Sequence, residues 1–161
     1  MPSRDTKKIK SVHKNTKFIF IVILLAVIAS ISVYLFNKST DDNPYLLVNG
    51  QKIYIETLTT EKQKEKGLSG RKFLASNNGL LFVYENMGNW KIWMKDMFFP
   101  IDVIWIDNEG IVVGVKTNIS PESYPEIHQI DRQSRYIIEL NAGAAERYNI
   151  KPGDKIYNLP Q

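Results

Sequence analysis

The sequence predicts a small, mainly β domain, built as a sandwich or barrel with two short helices, behind one N-terminal transmembrane helix. The membrane helix is predicted by one uninterrupted apolar segment. The β domain is predicted by short β-branched and aromatic runs that recur roughly every ten residues, separated by Asn, Gly and Pro turns. The expected divisions are a basic cytoplasmic tail (1–17), a transmembrane helix (18–36), a linker (37–44) and an extracytoplasmic β domain (45–161).

Residues 18–36 contain no charge, no Pro and no Gly. As a helix they would be about 28 Å long, close to the roughly 30 Å hydrocarbon core of a bilayer. Six Lys and Arg precede them against one acid, so positive-inside bias predicts a cytoplasmic N-terminus in a single-pass protein of the cell membrane. A cleaved signal peptide, with Ser30 and Ser32 at the cleavage site, is the competing interpretation, but apolar residues 33–36 extend the run past that site.

The net charge of +4 belongs to the tail and not to the β domain. From Asn37 onward the chain carries 15 Lys and Arg against 16 Asp and Glu. A nucleic-acid-binding domain needs its positive charge on the folded surface that contacts phosphate, so we expect no nucleic-acid partner. The chain has no Cys, which excludes disulfides, thiolate metal sites and a Cys nucleophile.

The strands follow from local patterns along the chain. Asn49-Gly50 is the strongest two-residue hairpin signal, and Asn108 to Gly110 forms a second hairpin turn between two β-branched runs. The predicted strands cover residues 45–48, 52–58, 79–84, 101–107, 111–118, 135–140 and 155–158.

Two short helices are predicted between these strands. Thr60 and the Gln three residues later form a capping box, and Gly67 lies where a helix C-terminus requires a positive φ. The six residues between them are polar or charged, which indicates a solvated helix. Asn141 is the predicted N-cap of the second helix, residues 142–148.

Several motifs occur in a fixed order along the domain. They are Gly67-Leu68-Ser69-Gly70-Arg71, residues 79–84 (GLLFVY), residues 93–97 (WMKDM), Pro100-Ile101-Asp102, residues 138–143 (IELNAG) and Gly153-Asp154. This series resembles the widespread bacterial and archaeal domain of unknown function, family number 192, over roughly residues 53–157. The resemblance implies a compact, mainly antiparallel, jelly-roll-like fold, often exported, and no established reaction. Ser69 stands where the family usually has Met, and Asp96 where it usually has Asn.

Two carboxylates lie in predicted strands among apolar residues that are expected to be buried. Asp102 lies between Ile and Val, and Glu139 between Ile and Leu. A buried charge must be paired, and Arg71, Lys95 and Arg135 are the available partners. The functional interpretation is a polar pocket that binds or transforms a ligand, and the structural one is a set of ion pairs that fix loops.

Five aromatic residues could stack on a sugar, and Trp93 is taken as the candidate among them; the others are Tyr84, Trp90, Tyr124 and Tyr136. Asp96 is added because it departs from the family pattern. His128 stands alone in the long irregular stretch 120–134, so it predicts neither a metal site nor a catalytic triad. The sequence assigns no catalytic residue, no metal and no cofactor. The candidate ligand-binding residues are Arg71, Trp93, Lys95, Asp96, Asp102 and Glu139.

The function predicted from these features is a membrane-anchored, non-catalytic module that binds an envelope glycan, a small molecule or a protein partner. The alternative is a small hydrolase or lyase with Asp102 and Glu139 as acid and base, which needs both carboxyls in one open cleft. Their relative position in the fold separates the two hypotheses.

Overall fold

A computed structural model of the chain describes residues 18–34 and 43–161. The chain divides between Asn43 and Pro44 into two units, which are described separately. In the first unit, residues 18–34 form helix α1, and its apolar side chains are exposed. Within the described ranges, no helix meets both the length and the hydropathy expected of a membrane span. The predicted tail, the last two residues of the predicted span and most of the linker lie outside the described residues.

The second unit is mainly β, as predicted, and contains three short helices and a seven-stranded sheet of order β6-β5-β8-β3-β2-β1-β9. A separate two-stranded ribbon pairs β4 with β7. The strands are β1 Tyr45–Val48, β2 Gln51–Leu58, β3 Asn78–Gly88, β4 Ile92–Trp93, β5 Ile101–Ile106, β6 Val112–Ile119, β7 Ile127–His128, β8 Ser134–Asn141 and β9 Ile156–Tyr157. The helices are α2 Glu61–Lys66, a 3₁₀ turn Pro121–Ser123 and α3 Ala144–Arg147.

The sheet curls so that its two ends approach each other. The β9 strand pairs with β1, and its Ile156 N–H also donates to the Gly110 carbonyl at the start of β6. The Val112 N–H donates in turn to the Asp154 carbonyl. The expected jelly-roll-like sandwich or barrel is therefore correct in its β content, but the observed architecture is one curled sheet.

One pair of neighbouring strands departs from the predicted antiparallel arrangement. Strands β2 and β3 are parallel, with Ile55 opposite Gly79 and Leu58 opposite Phe82. Parallel neighbours need a long crossover, and helix α2 with the loop after it supplies that connection. The crossover places α2 and Leu68 beside the sheet.

The curled sheet has an apolar cluster on each face. On one face, residues such as Leu81, Ile104 and Ile138 pack with Ala144 and Ala145 of α3. On the other face, alternate residues of the same strands pack beneath the α2 crossover and the β4–β7 ribbon; they include Leu80, Phe82, Trp105, Ile137, Leu68 and Ile92. We call these the α3 face and the α2 face.

The local turn and cap signals are confirmed for the first half of the domain. The capping box of α2 is complete, since the Thr60 side chain accepts from the Gln63 N–H and the Gln63 side chain accepts from the Thr60 N–H. The second helix is shorter than predicted, and its N-cap is Gly143, with a φ of 80°. Asn141 instead remains in β8 and donates to the Leu74 carbonyl.

Candidate ligand-binding site

Strand register separates the two buried carboxylates. In the antiparallel β5–β8 pair, Asp102 lies opposite Leu140, and Val103 lies opposite Glu139. Residues directly opposite each other share a face and successive residues alternate, so Asp102 is on the α3 face and Glu139 on the α2 face. The hypothesis that these carboxyls act together as acid and base is therefore wrong, because the sheet lies between them.

Asp102 is fully buried and has two backbone partners. Its Oδ1 accepts from the Asn118 N–H at 2.8 Å, and its Oδ2 accepts from the Ala145 N–H at 2.8 Å. The second bond satisfies an N–H of the first turn of α3, which Gly143 cannot cap with a side chain. Asp102 thus fixes α3 and the end of β6 to the sheet, and its partners are amides rather than the predicted Lys or Arg.

Glu139 is also buried, at 5% exposure, but its Oε2 has no hydrogen-bond partner among the described residues. Burial raises the pKa of this carboxyl to about 8, and the nearby positive charge of Arg71 opposes that rise only in part. Because the charged form is disfavoured, Glu139 is mainly a neutral carboxylic acid at pH 7. A neutral acid can both donate and accept a hydrogen bond.

Glu139 lies in the lining of a cavity on the α2 face, which we call the Glu139 cavity. Its volume is about 650 Å³, a size typical of small-molecule sites. The apolar part of its lining includes Leu68, Phe82, Tyr84, Trp90, Ile92 and Trp93. Two further acidic and three basic side chains line it, so with Glu139 neutral the lining carries one net positive charge; they are Glu61, Glu65, Lys64, Lys66 and Lys91.

Gly67 forms the part of the lining beside the Glu139 carboxyl. It ends α2 with φ 47° and ψ −127°, a conformation that an L side chain strongly disfavours, and its N–H donates to the Gln63 carbonyl. A Cβ at this position would lie 3.7 Å from Glu139 Oε2 and 3.4 Å from the Phe82 ring. The glycine therefore ends the helix and leaves space next to the unpartnered oxygen.

Residues 45–157 match the model of DUF192, described as an uncharacterized ACR. The chain belongs to the DUF192 family. No match to it is found among curated proteins.

Two solved structures are similar to this DUF192 chain. One is a proposed transcription regulator from Sinorhizobium meliloti 1021, with 28% identity and a TM-score of 0.66 over 71% of this chain and 92% of that one. The other is a protein of unknown function from Novosphingobium aromaticivorans DSM 12444, with 26% identity and a TM-score of 0.66 over 70% of this chain and 82% of that one.

A stack of two aromatic rings forms one wall of the cavity in this DUF192 domain. The Tyr84 and Trp90 rings are 3.8 Å apart and nearly parallel, at 7°. The Lys64 Nζ lies 4.4 Å from the Tyr84 ring centroid and 2.8 Å from Glu61 Oε1. Gly88 lies beside Trp90, where a Cβ would approach the indole to 2.8 Å. Tyr84 and Trp90 thus cover each other's facing surfaces, and the Lys64 ammonium lies over the Tyr84 ring.

Two groups in this wall have altered hydrogen bonding or ionisation. The Trp90 Nε1–H is buried without an acceptor among the described residues. Burial raises the pKa of Tyr84, and the negative charges of Glu139 and Glu61 raise it further. Tyr84 is therefore a neutral phenol throughout the neutral pH range. The indole N–H adds a second unsatisfied polar group to the lining.

The β4–β7 ribbon forms the outer edge of the cavity. Trp93 lies opposite Ile127 in the ribbon, and both residues line the cavity while remaining 40% and 45% exposed. The Tyr124 ring contacts Trp93 edge-on at 6.5 Å. Of the predicted binding residues, Trp93 and Glu139 therefore share one site.

The other predicted residues do not line this cavity. Arg71 is 2.8 Å from Glu56, although its charge still acts on Glu139. The Lys95 Nζ lies 5.6 Å from the Trp93 ring. Asp96 has a φ of 55° in a turn, and its carbonyl accepts from the Gly70 N–H. The Lys95–Asp96 backbone therefore fixes the loop after α2, while both side chains remain exposed.

His128 and Ser123 are adjacent but lack the geometry of a nucleophile and its base. The His128 Nε2 is 2.9 Å from Ser123 Oγ, while that hydroxyl donates its hydrogen to the Ser120 carbonyl at 2.8 Å. The imidazole Nε2–H is therefore the donor to Ser123, the reverse of what a general base requires. Burial lowers the pKa of His128. The pair fixes the loop beside the ribbon.

Sequence reasoning placed Tyr84 and Trp90 among the aromatic residues that could stack on a sugar, but it missed Lys64 of the cavity wall. Helix α2 was expected to be wholly solvated, but the Lys64 side chain is only 7% exposed because its aliphatic stem and ammonium pack on Tyr84. The sequence of α2 has no signal that separates Lys64 from the lysines two residues before and after it. The described residues contain no group of three His, Cys, Asp or Glu suited to a metal ion.

Proposed function

We propose that this DUF192 domain is a non-catalytic module that binds a small ligand in the Glu139 cavity. The observation that carries the proposal is a buried carboxyl oxygen, without a partner among the described residues, in the lining of an aromatic cavity. Leaving such a group unsatisfied costs roughly 1 to 3 kcal/mol, so a ligand that satisfies it gains affinity. A small molecule or the end of an envelope glycan suits the volume of the site.

A binding function is favoured over catalysis by the arrangement of the titratable groups. Asp102 has both oxygens bonded to backbone amides on the opposite face, and His128 donates to the only hydroxyl that it contacts. Of the titratable side chains that line the cavity, Glu139 is a neutral acid and Lys64 is already paired with Glu61, while Glu65, Lys66 and Lys91 are exposed. That set can orient a ligand without transferring a proton through a second group.

The test is a fragment screen against the full-length chain in phospholipid nanodiscs, followed by NMR. The indole N–H signals of Trp90 and Trp93 report on the cavity. We expect hits whose shifts centre on these signals and whose affinity falls about 10-fold or more in Glu139→Leu. Glu146→Gln, an exposed change in α3, is the matched control and should leave affinity unchanged. Hits that spare both indole signals, or that bind Glu139→Leu equally well, would contradict the proposal.

We also propose that residues 18–36 anchor the chain in the cell membrane, with the N-terminus cytoplasmic and the β domain extracytoplasmic. Residues 18–34 are helical, with a length of about 26 Å. The Ser30 and Ser32 hydroxyls donate to the Ala26 and Ile28 carbonyls, so these two side-chain polar groups are bonded within the helix. Internal bonding of this kind is what a hydrocarbon environment requires.

Membrane extraction and protease protection test this topology. We expect the chain to resist alkaline carbonate extraction and to be released by detergent. Protease added outside intact cells should digest the β domain and leave the tail. A chain that is recovered without detergent, or an intact mass that begins near residue 33, would exclude the anchor.

The proposed transcription-regulator role of the Sinorhizobium relative is not extended to this chain. The β domain has a nearly balanced charge, with 15 basic and 16 acidic residues from Asn37 onward. Binding to DNA depends mainly on phosphate contacts from Lys and Arg. A ligand-binding role needs no such excess.

A further inference from the structure

The charges around Glu139 limit which chemical groups of a ligand it can contact. This inference rests on the proposed function, in which the cavity binds a small ligand. From α2, Lys64 lines the cavity and is paired with Glu61 at 2.8 Å. From the loop after α2, Arg71 acts on Glu139 and is paired with Glu56 at 2.8 Å. From β3, Tyr84 contributes a neutral phenol. The remaining charged side chains of the lining are exposed to solvent; they are Glu65, Lys66 and Lys91.

This arrangement disfavours a charged ligand group of either sign. A ligand cation would enter the field of Lys64 and Arg71 and would have to ionise a carboxyl that burial keeps protonated. A ligand anion would lose its hydration in an apolar lining, where Lys64 and Arg71 already have carboxylate partners. A neutral group avoids both costs.

The hydrogen-bonding capacity of the lining selects among neutral groups. A protonated carboxyl offers one donor and one acceptor on adjacent oxygens, and a primary amide offers the complementary acceptor and donor at the same spacing. The Trp90 Nε1–H is a further donor that lacks an acceptor in the same lining. The side chains of Leu68, Phe82 and Ile92 make the remaining surface apolar.

We propose that the Glu139 cavity recognises a neutral primary carboxamide carried on an apolar group, with the amide paired to the Glu139 carboxyl. A primary carboxamide presents its N–H and C=O on the same side, whereas the trans secondary amide of an N-acylated sugar or a peptide directs them in opposite directions. The Glu139 carboxyl acts as donor and acceptor together, so the recognition depends on its remaining protonated.

Three probes of equal shape and different charge test the inference: benzamide, benzoate and benzylammonium. Affinities are measured at about pH 6.5 by NMR titration of the full-length chain in nanodiscs. We expect benzamide to bind with a dissociation constant on the order of 1 mM, and at least about 10-fold more tightly than either ion. Tighter binding of benzylammonium or of benzoate would overturn the carboxamide assignment.

The variant Glu139→Gln tests whether Glu139 contacts the ligand directly or only supports the fold. Gln is also a neutral donor and acceptor of the same size. In the parent chain, benzamide affinity should fall about 10-fold between pH 6.5 and pH 9 as the carboxyl ionises. In Glu139→Gln it should be similar to the parent at pH 6.5 and constant up to pH 9. A parallel fall in both proteins would show that Glu139 is not the contact.

The outcomes also distinguish this inference from the proposed function. If other fragments bind at the cavity while none of the three probes does, the carboxamide inference fails and the ligand-binding function stands. If no fragment and no probe shifts the Trp90 and Trp93 indole signals, both fail. Binding of benzamide that is lost in Glu139→Leu and retained in Glu139→Gln supports both.

Discussion

Each face of the sheet has a buried acidic side chain, and the two differ in whether their oxygens have hydrogen-bond partners. On the α3 face, both oxygens of Asp102 accept backbone N–H groups at 2.8 Å. On the α2 face, Glu139 Oε2 has no partner among the described residues and borders a cavity of about 650 Å³. The two residues are one register position apart on neighbouring strands, so the difference arises from what covers each face.

The coverings differ in how completely they fill the space above the strands. Helix α3 presents small residues, Ala144 and Ala145, whose backbone comes close enough to bond the carboxylate. Helix α2 ends at Gly67, which leaves room above Glu139 instead of filling it. A satisfied buried carboxylate stabilises a fold, whereas an unsatisfied one beside a cavity reduces stability and favours a ligand. Asp102 therefore has a structural role on the α3 face, and the ligand contact that we propose lies on the α2 face.

The largest expected effect is that of Asp102→Ala. The substitution leaves two N–H groups without acceptors, one of them in the first turn of α3, and it also creates a small void. We expect the free energy of unfolding to fall by about 4 kcal/mol, measured by chemical denaturation of the full-length chain and followed by near-UV circular dichroism.

Asp102→Asn is the matched control, because it keeps one acceptor oxygen and the volume of the side chain. It should cost about half as much as the alanine variant, since one N–H then faces an amide N–H₂. The folded fraction of either variant should keep its affinity for cavity ligands. An unchanged stability in Asp102→Ala, or an affinity loss that exceeds the loss of folded protein, would break the assignment of the α3 face.

Glu139→Gln is expected to act in the opposite direction, with an effect that grows as pH rises from about 4.5 to about 8. The native chain keeps this proton up to a pKa of about 8, whereas the unfolded chain releases it near 4.5. The native state therefore binds more protons between these values, so its stability falls as pH rises through that window. Because Gln cannot ionise, the variant should be more stable than the parent by about 2 kcal/mol at pH 9 and nearly equal to it at pH 5.

The difference between variant and parent isolates the Glu139 contribution. Arg71, Lys64, Glu61 and Tyr84 surround the carboxyl and are common to both proteins, so their effects cancel in the subtraction. Equal stability of the two proteins at both pH values would mean that Glu139 is ionised and solvated in the native state. That result would remove the contrast between the two faces.

Local chemistry made much of this fold predictable from sequence. The Asn49-Gly50 and Asn108–Gly110 turns and the Thr60 capping box were identified because each depends on a few adjacent residues. The parallel β2–β3 pairing was missed, since it joins segments that are far apart in sequence. The two-residue strands β4 and β7 were missed because two residues show no alternation.

The candidate site was predictable only in part, for a related reason. A charge within an apolar run marked both Asp102 and Glu139, but the face on which each lies depends on register across β5 and β8. Arg71 and Lys95 were expected to pair with these carboxylates. Arg71 pairs with Glu56 and Lys95 lies near Trp93, because the loops that position them are set by non-local backbone bonds.

The smallest predicted effect concerns His128, which titrates at the edge of the α2 face and must be separated from the Glu139 effect. Burial lowers its pKa, and Lys116 lowers it further, while Glu126 opposes them. A base with a depressed native pKa remains neutral in the folded state, so its contribution to stability is present above pH 6.5 and is lost as pH falls through its folded pKa.

His128→Gln keeps a donor near the position of Nε2 and removes the titration, so it tests this contribution directly. We expect the variant to be about 1 kcal/mol less stable than the parent at pH 7.5 and to approach it by pH 5. Denaturation curves at the two pH values measure the change. This window overlaps the range over which Glu139 titrates, so the two effects are separated by comparing single variants. If the two groups act independently, the His128→Gln and Glu139→Gln differences should add in the double variant. A non-additive result would show that the β4–β7 ribbon and the Glu139 cavity are energetically coupled. In that case the whole α2 face, and not Glu139 alone, would differ from the α3 face.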